Sequence, residues 1–280
     1  MKVALRRIVS IMLGISMVVG GVGCGKETQE SEGNTKEIVV YAASSLTESL
    51  TEAAKIYESN NEGVTINLEF GSSETLKEHI RSGERCDVFI SAGQTQMNQL
   101  DKSYSDNKDG VEYIESGTRT DLLMNSVVLI IPEGDEVKIN GFDSMKTHLQ
   151  NKDITVAMGV TTTPIGECAK KIFTYKGLEV ETLAGQGLIK FGKDAKEVLA
   201  QVMSGSVDCG IVYNTDAYSS KLMIVDEATP SMCGIITYPA AVLSHSGDVE
   251  ASTKFLEFLS TDTAVKCFEK VGFTAVKSKY

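Results

Sequence analysis

Short runs rich in Val and Ile alternate with helix-period stripes along the chain, and this alternation restricts the fold more than any other feature of the sequence. Strand candidates are Glu37–Ala43, Val64–Phe70, Asp87–Ala92, Ser126–Ile131, Ile154–Met158, Leu188–Phe191, Cys209–Tyr213 and Ile235–Leu243. Between the first two, Leu46, Leu50, Ala53, Ala54 and Tyr57 recur at helical spacing and form one apolar stripe. The same alternation continues to Leu256, Leu259 and Phe268. Strand–helix alternation returns the chain in parallel, so the expected class is α/β, with mostly parallel sheets and helices on both faces. In such sheets ligands gather at the carboxyl ends of the strands.

Those strand ends carry the most information. The first candidate runs into Ser44-Ser45-Leu46-Thr47-Glu48, where Ser45 and Glu48 have the spacing of a capping box. The second ends at Gly71-Ser72-Ser73-Glu74, again placing hydroxyls ahead of a helix whose apolar positions include Leu76 and Ile80. In Thr161-Thr162-Thr163-Pro164-Ile165-Gly166 a Thr stands at the N-cap and Pro at the first helical position. Lys193-Asp194-Ala195-Lys196-Glu197 repeats the capping pattern with Asp194 and Glu197. A helix start offers unpaired N–H groups and the positive end of the macrodipole, so several converging on one cleft bind an anion without Lys or Arg. Ser and Thr cap ordinary helices everywhere, so a single junction means little by itself. The pairs Ser44-Ser45 and Ser72-Ser73 are less easily explained as caps alone, because one hydroxyl of each pair can cap while the other faces the cleft.

The N-terminus predicts export. Lys2, Arg6 and Arg7 precede an apolar run of 12 residues, Ile8 to Val19, ending in Gly20-Gly21-Val22-Gly23-Cys24. This is a signal-peptide layout, and the run is shorter than the roughly 20 apolar residues that cross a bilayer. Residues 1–23 read as the signal peptide and Cys24 as a lipidated cysteine, although Gly21 stands where the lipoprotein pattern usually has Leu. Polar residues 24–36 read as a tether to the outer face of the cell membrane. Without the leader's three basic residues, 24 Lys and Arg face 38 Asp and Glu, a net charge of about −14. Such a surface argues against nucleic acid, and it gives an anion no long-range steering. If the ligand is an anion, its attraction must be local. About 244 residues from Glu37 onward are enough for two lobes.

Five cysteines remain after Cys24: Cys86, Cys168, Cys209, Cys233 and Cys267. An odd number at irregular spacing is a poor disulfide framework, and the absence of any CxxC or Cys/His cluster argues against zinc or an iron–sulfur centre. Cys86 and Cys209 lie in apolar runs and read as small buried hydrophobes. A serine hydrolase would need a base near its nucleophile, yet His79, His148 and His245 lie away from the serine turns and no Gly-x-Ser-x-Gly elbow occurs. A binding protein for a small organic acid would normally clamp the carboxylate with Arg, and Arg81, Arg85 and Arg119 stand outside the strand-end motifs.

Five segments, in order and spacing, resemble the periplasmic molybdate-binding proteins: Tyr41-Ala-Ala-Ser-Ser-Leu-Thr, Phe70-Gly-Ser-Ser-Glu-Thr-Leu, Cys86-Asp-Val-Phe-Ile-Ser-Ala, Gly210-Ile-Val-Tyr-Asn-Thr-Asp-Ala and Tyr238-Pro-Ala-Ala-Val. The family's closing Tyr-Gly-Phe-Thr appears as Val271-Gly-Phe-Thr, and the resemblance covers residues 37–276. It implies a two-lobed type II periplasmic-binding fold, with residues 37–124 and 237–280 in one lobe and 125–236 in the other. The chain would cross between lobes near Asn125–Ser126 and Thr237–Tyr238.

The resemblance also implies anion ligands. Hydroxyls are expected from Ser45, Ser73 and Tyr213, and backbone N–H donors from Ile165 and Ala195, with Ser44 and Ser72 as additional candidates. The family's Gly-Asp-Pro turn is replaced here by Gly159-Val160-Thr161, one residue shorter, so Thr162 or Thr163 stand as substitutes for Ile165. The ligand implied is molybdate or tungstate, captured without turnover and passed to the permease and ATPase subunits of an ABC importer. The protein is expected to be a monomer that needs no cofactor, with molybdenum bound only as its oxyanion. The chemistry agrees, since these dianions are fully deprotonated and need only donors. Sulfate fits the same donors, whereas phosphate needs an acceptor for its P–O–H, for which Asp194 is the carboxylate available.

Overall fold

The computed structural model describes residues 36–133, 138–220 and 222–276, except the side chain of Ser219. The expected leader, Cys24 and nearly all of the tether lie outside the described residues. The chain begins with β1 (Lys36–Ala43), a 3-10 turn over Ser44–Leu46 and α1 (Thr47–Asn60). Next come β2 (Val64–Gly71), α2 (Ser73–Arg81), β3 (Val88–Ile90), α3 (Gln94–Asn98) and β4 (Thr120–Asn125). A second group follows: β5 (Val127–Ile131), α4 (Phe142–Asn151), β6 (Val156–Gly159), α5 (Pro164–Tyr175), α6 (Val180–Gly185) and β7 (Ile189–Gly192). It continues through α7 (Ala195–Met203), β8 (Cys209–Tyr213), α8 (Asn214–Ser220), β9 (Met223–Glu227) and α9 (Pro230–Cys233). The chain returns with β10 (Ile236–Val242), α10 (Val249–Phe258), α11 (Asp262–Glu269) and β11 (Thr274–Ala275).

These elements build two sheets. The first has the order β11-β4-β10-β3-β1-β2 and the second β7-β6-β8-β5-β9. Both are mixed, which corrects the expectation of mostly parallel sheets. Pairings joined through helices are parallel: β1 with β2 and β3, and β6 with β7 and β8. The strands at the passage between sheets pair antiparallel: β10 with β3 and β4, and β5 with β8 and β9. An antiparallel partner needs no crossover helix, so a strand arriving from the other sheet can join directly.

Side-chain alternation supplies a core on each face of both sheets. In β1, Ile38, Val40 and Ala42 point into the core under α1, α10 and α11, while Tyr41 packs on the opposite side with Leu76, Ile80 and Phe89. In β5, Val127, Leu129 and Ile131 join the core beneath α4 and α5, and Val128 and Ile130 pack with Val198 and Val202 of α7. The eight strand candidates are all present, with ends shifted by one or two residues or unchanged. Three strands escaped sequence reading. Thr120–Asn125 shows only the buried apolar pair Leu122–Leu123 beside a buried Asn125, Met223–Glu227 is a half-exposed edge, and Thr274–Ala275 is too short to show a period. Pro239 lies inside β10, between β3 and β4, where a missing N–H would break a ladder. A register shift against β4 at Tyr238–Pro239 accommodates it, while the Pro239 carbonyl still accepts Ser91 N–H at 3.0 Å.

Candidate functional site

The parallel register aligns the strand ends of the first sheet. Ala43 of β1 faces Gly71 of β2, and Ala42 faces Ile90 of β3. The residues that follow, Ser44-Ser45, Ser72-Ser73 and Ser91-Ala92, therefore emerge side by side. The two serine pairs divide their roles differently. Ser72 is the N-cap of α2, accepting from Thr75 N–H at 3.1 Å. Ser73 is left over, and its Oγ accepts from Ala92 N–H at 2.9 Å, so its own hydrogen remains available to donate. After β1 the helix starts later than the capping-box pattern suggested. The 3-10 turn intervenes, α1 begins at Thr47 without a side-chain cap, and the Ser45 hydroxyl lies 3.0 Å from that of Tyr238 instead of capping. Ser44 is exposed, and its carbonyl accepts the Thr47 hydroxyl at 2.7 Å.

In the second sheet Gly159 of β6 faces Gly192 of β7, and β8 ends beside them at Tyr213. Thr163 caps α5 with Pro164 behind it, as the sequence predicted, accepting from Gly166 N–H at 3.2 Å and donating to the Val160 carbonyl at 2.8 Å. A hydroxyl has one hydrogen, so Thr163 has none left for a ligand. Thr162 is exposed in the turn. Gly166 seats the helix against the strand end, where an added Cβ would fall 2.0 Å from the Val160 carbonyl oxygen. Asp194 caps α7 by accepting from Glu197 N–H at 2.9 Å, and the Glu197 carboxylate reaches back to Lys193 N–H at 2.9 Å. Ile165 and Ala195 thus occupy the first turns of α5 and α7, where backbone N–H groups have no intrahelical acceptor.

Tyr213 is half-buried at the end of β8. Burial chiefly, with Cys168, Tyr238 and Asp216 adding to it, pushes the phenol pKa above its usual range and keeps it protonated as a donor. A hydrogen bond from Cys233 holds the Cys168 thiol down to about 7. The five described cysteines are all buried and none is in a disulfide; Cys86 and Cys209 are fully enclosed. Asp216 is raised to about 6 by burial. Asn125, Thr215 and Tyr238 form a hydrogen-bonded polar group between the sheets that sequence reading did not single out as a site. The signal lay inside two motifs already noted, Tyr213-Asn-Thr-Asp and Tyr238-Pro.

The structure therefore places Ser45 and Ser73 on one lobe and Ile165, Ala195 and Tyr213 on the other, with the Tyr238 hydroxyl 3.0 Å from that of Ser45. The arginines considered as carboxylate clamps are engaged elsewhere: Arg81 with Asp109, Arg85 with Glu37, and Arg119 with Asp101 at 2.7 Å. His79 stands near Glu69 and Glu84, and His148 near Asp153.

Two α/β lobes joined by two passages of the chain, with donors gathered at the strand ends of each, define a two-lobed solute-binding protein. The comparisons agree: the chain belongs to the bacterial extracellular solute-binding protein family, whose model matches residues 38–274. Members of this family are binding proteins and not enzymes. A Bacillus subtilis protein described as an ABC transporter substrate-binding lipoprotein is 31% identical over 261 residues, 92% of this chain and 94% of the relative. The molybdate-binding protein ModA of Escherichia coli is 31% identical over 242 residues, 85% of this chain and 89% of its own length. A Clostridium difficile structure described as the substrate-binding domain of a molybdenum ABC transporter superposes with a TM-score of 0.74 at 32% identity, covering 86% of this chain and 99% of that one. Among the described residues no helix is long and apolar enough to cross a membrane.

Proposed function

We propose that this protein captures molybdate, or tungstate, between its lobes and delivers it to the permease and ATPase subunits of an ABC importer. The observation that carries this reading is the pair of serine hydroxyls, Ser45 and Ser73, at the ends of adjacent in-register strands and free of capping duty. Tyr213 and the first-turn N–H groups at Ile165 and Ala195 add donors from the second lobe, completing a set without Lys, Arg or a carboxylate acceptor. Asp194, the carboxylate considered for a phosphate proton, is bound to Glu197 N–H as a helix cap. Such a set suits a fully deprotonated tetrahedral dianion.

The protein acts as a monomer by opening and closing about the passages near Asn125–Ser126 and Thr237–Tyr238, and closure presents one shape to the importer. Cys24 carries the lipid anchor at the outer face of the cell membrane, a reading supported by the Bacillus subtilis relative described as a lipoprotein. Cys24→Ser is expected to release the protein from the membrane fraction, and retention there would remove the anchor from this reading.

Competitive titration with molybdate, tungstate, sulfate and phosphate tests the ligand; tight binding of phosphate alone overturns it. Loss of one hydroxyl to a charged oxygen costs about 1.5–3 kcal/mol, or about 10- to 100-fold in affinity. Calorimetry on Ser45→Ala and Ser73→Ala should show losses of that size, and unchanged molybdate binding in both would sink the site.

A further inference from the structure

The Tyr238 hydroxyl meets two groups. It lies 3.0 Å from Ser45 Oγ and accepts from Asn125 Nδ2 at 3.4 Å. The ring is only 2% exposed, packed edge-on against Phe273 at 5.0 Å, and stands at the bulge that accommodates Pro239. Bulges re-aim side chains. Asn125 is itself fixed, because its Oδ1 accepts Ser126 N–H at 2.9 Å and its Nδ2 also reaches Thr215 Oγ1 at 3.1 Å.

A phenol has one hydrogen to give. With Asn125 as donor to Tyr238, the buried Tyr238 hydrogen needs an acceptor, and a buried donor left without one is costly. Ser45 Oγ is the acceptor within reach. Ser45 then receives from Tyr238 and turns its own hydrogen outward from an exposed strand-end turn. Each bond in such a chain polarises the next.

We propose that Tyr238, oriented by Asn125, is a positioning residue that holds the Ser45 hydroxyl as a donor toward the bound oxyanion. The inference rests on the functional reading above and adds to it the group that decides which way Ser45 points. Thr215, the third member, lies on α8 in the other lobe, two residues after Tyr213, so the orientation of a ligand group on one lobe is tied to the other across the passage between them.

A double-mutant cycle read by molybdate calorimetry tests this, with circular dichroism to establish folding. Tyr238→Phe keeps the ring and removes the hydroxyl, and it should weaken molybdate about tenfold in the wild-type background. In the Ser45→Ala background the same change should have no further effect, which a merely structural role would not produce. Asn125→Ala should follow the same pattern and carries the comparison if the Phe variant does not fold. Wild-type protein that binds molybdate while these variants lose nothing, or lose equally in both backgrounds, overturns the positioning role alone. Wild-type protein that binds no molybdate overturns the functional reading, and this role with it.

Discussion

Asp216 lies half-buried among Tyr213, Tyr238 and the lobe passage, and burial raises its pKa to about 6. In the unfolded chain an Asp ionises near 3.9, so between about pH 4 and 6 the native state holds a proton that the unfolded state lacks. Stability therefore falls as pH rises through that window, and the full penalty stands above pH 6. Asp101 and Asp208 act in the opposite direction. Hydrogen bonds and cations lower both, despite burial, so their contribution is present at neutral pH and lost in acid. Asp216→Asn removes the charge with little change of shape. It is expected to stabilise the protein at pH 7.5 by on the order of 2 kcal/mol and to have little effect at pH 4. Denaturant melts at both pH values check this, and an equal change at each would refute it. The sequence showed Asp216 inside a motif but could not show its burial, which depends on how α8 packs against α7, β5 and β8.

Helix starts set the geometry of both strand-end clusters. The caps by Thr163 and Asp194 were legible because a cap needs only a residue and its partner two or three positions on, whereas the choice of Ser72 over Ser73 as the cap of α2 came only with the structure. The Ser45–Glu48 box failed because an intervening 3-10 turn moved the helix start to Thr47. The turn from Gly159 to Gly166 is the most constrained junction. Gly166→Ala would place a methyl group 2.0 Å from a backbone oxygen that cannot step aside, so a loss of about 3 kcal/mol or more, or failure to fold, is expected. Thr163→Ala removes only the cap and should cost about 1 kcal/mol. Thermal melts of the two variants test the ranking, and a Gly166→Ala protein as stable as Thr163→Ala would contradict the close seating of α5.

At the scale of the whole molecule, the lobes touch through a few polar contacts beside the passages, including Asn125 with Thr215 at 3.1 Å and Asn214 with the Gly272 carbonyl at 2.9 Å. The proposed closure would break and re-form these contacts while leaving the core of each lobe intact. Saturating molybdate should reduce the radius of gyration measured by X-ray scattering, and a ligand at 100 times its Kd should add about 2.7 kcal/mol to unfolding. Scattering unchanged with molybdate bound would remove closure from the mechanism. By itself the sequence determined the α/β class, eight of the strands, the buried stripes and the caps of α5 and α7, because each is written in periods and spacings of a few residues. Only the tertiary structure decided that both sheets are mixed, that Thr163 has no hydrogen left for a ligand, and that Ser45 answers to a tyrosine 193 positions away. Those outcomes depend on which distant strands lie side by side, and hydrogen bonds between distant residues leave no period in the chain that makes them.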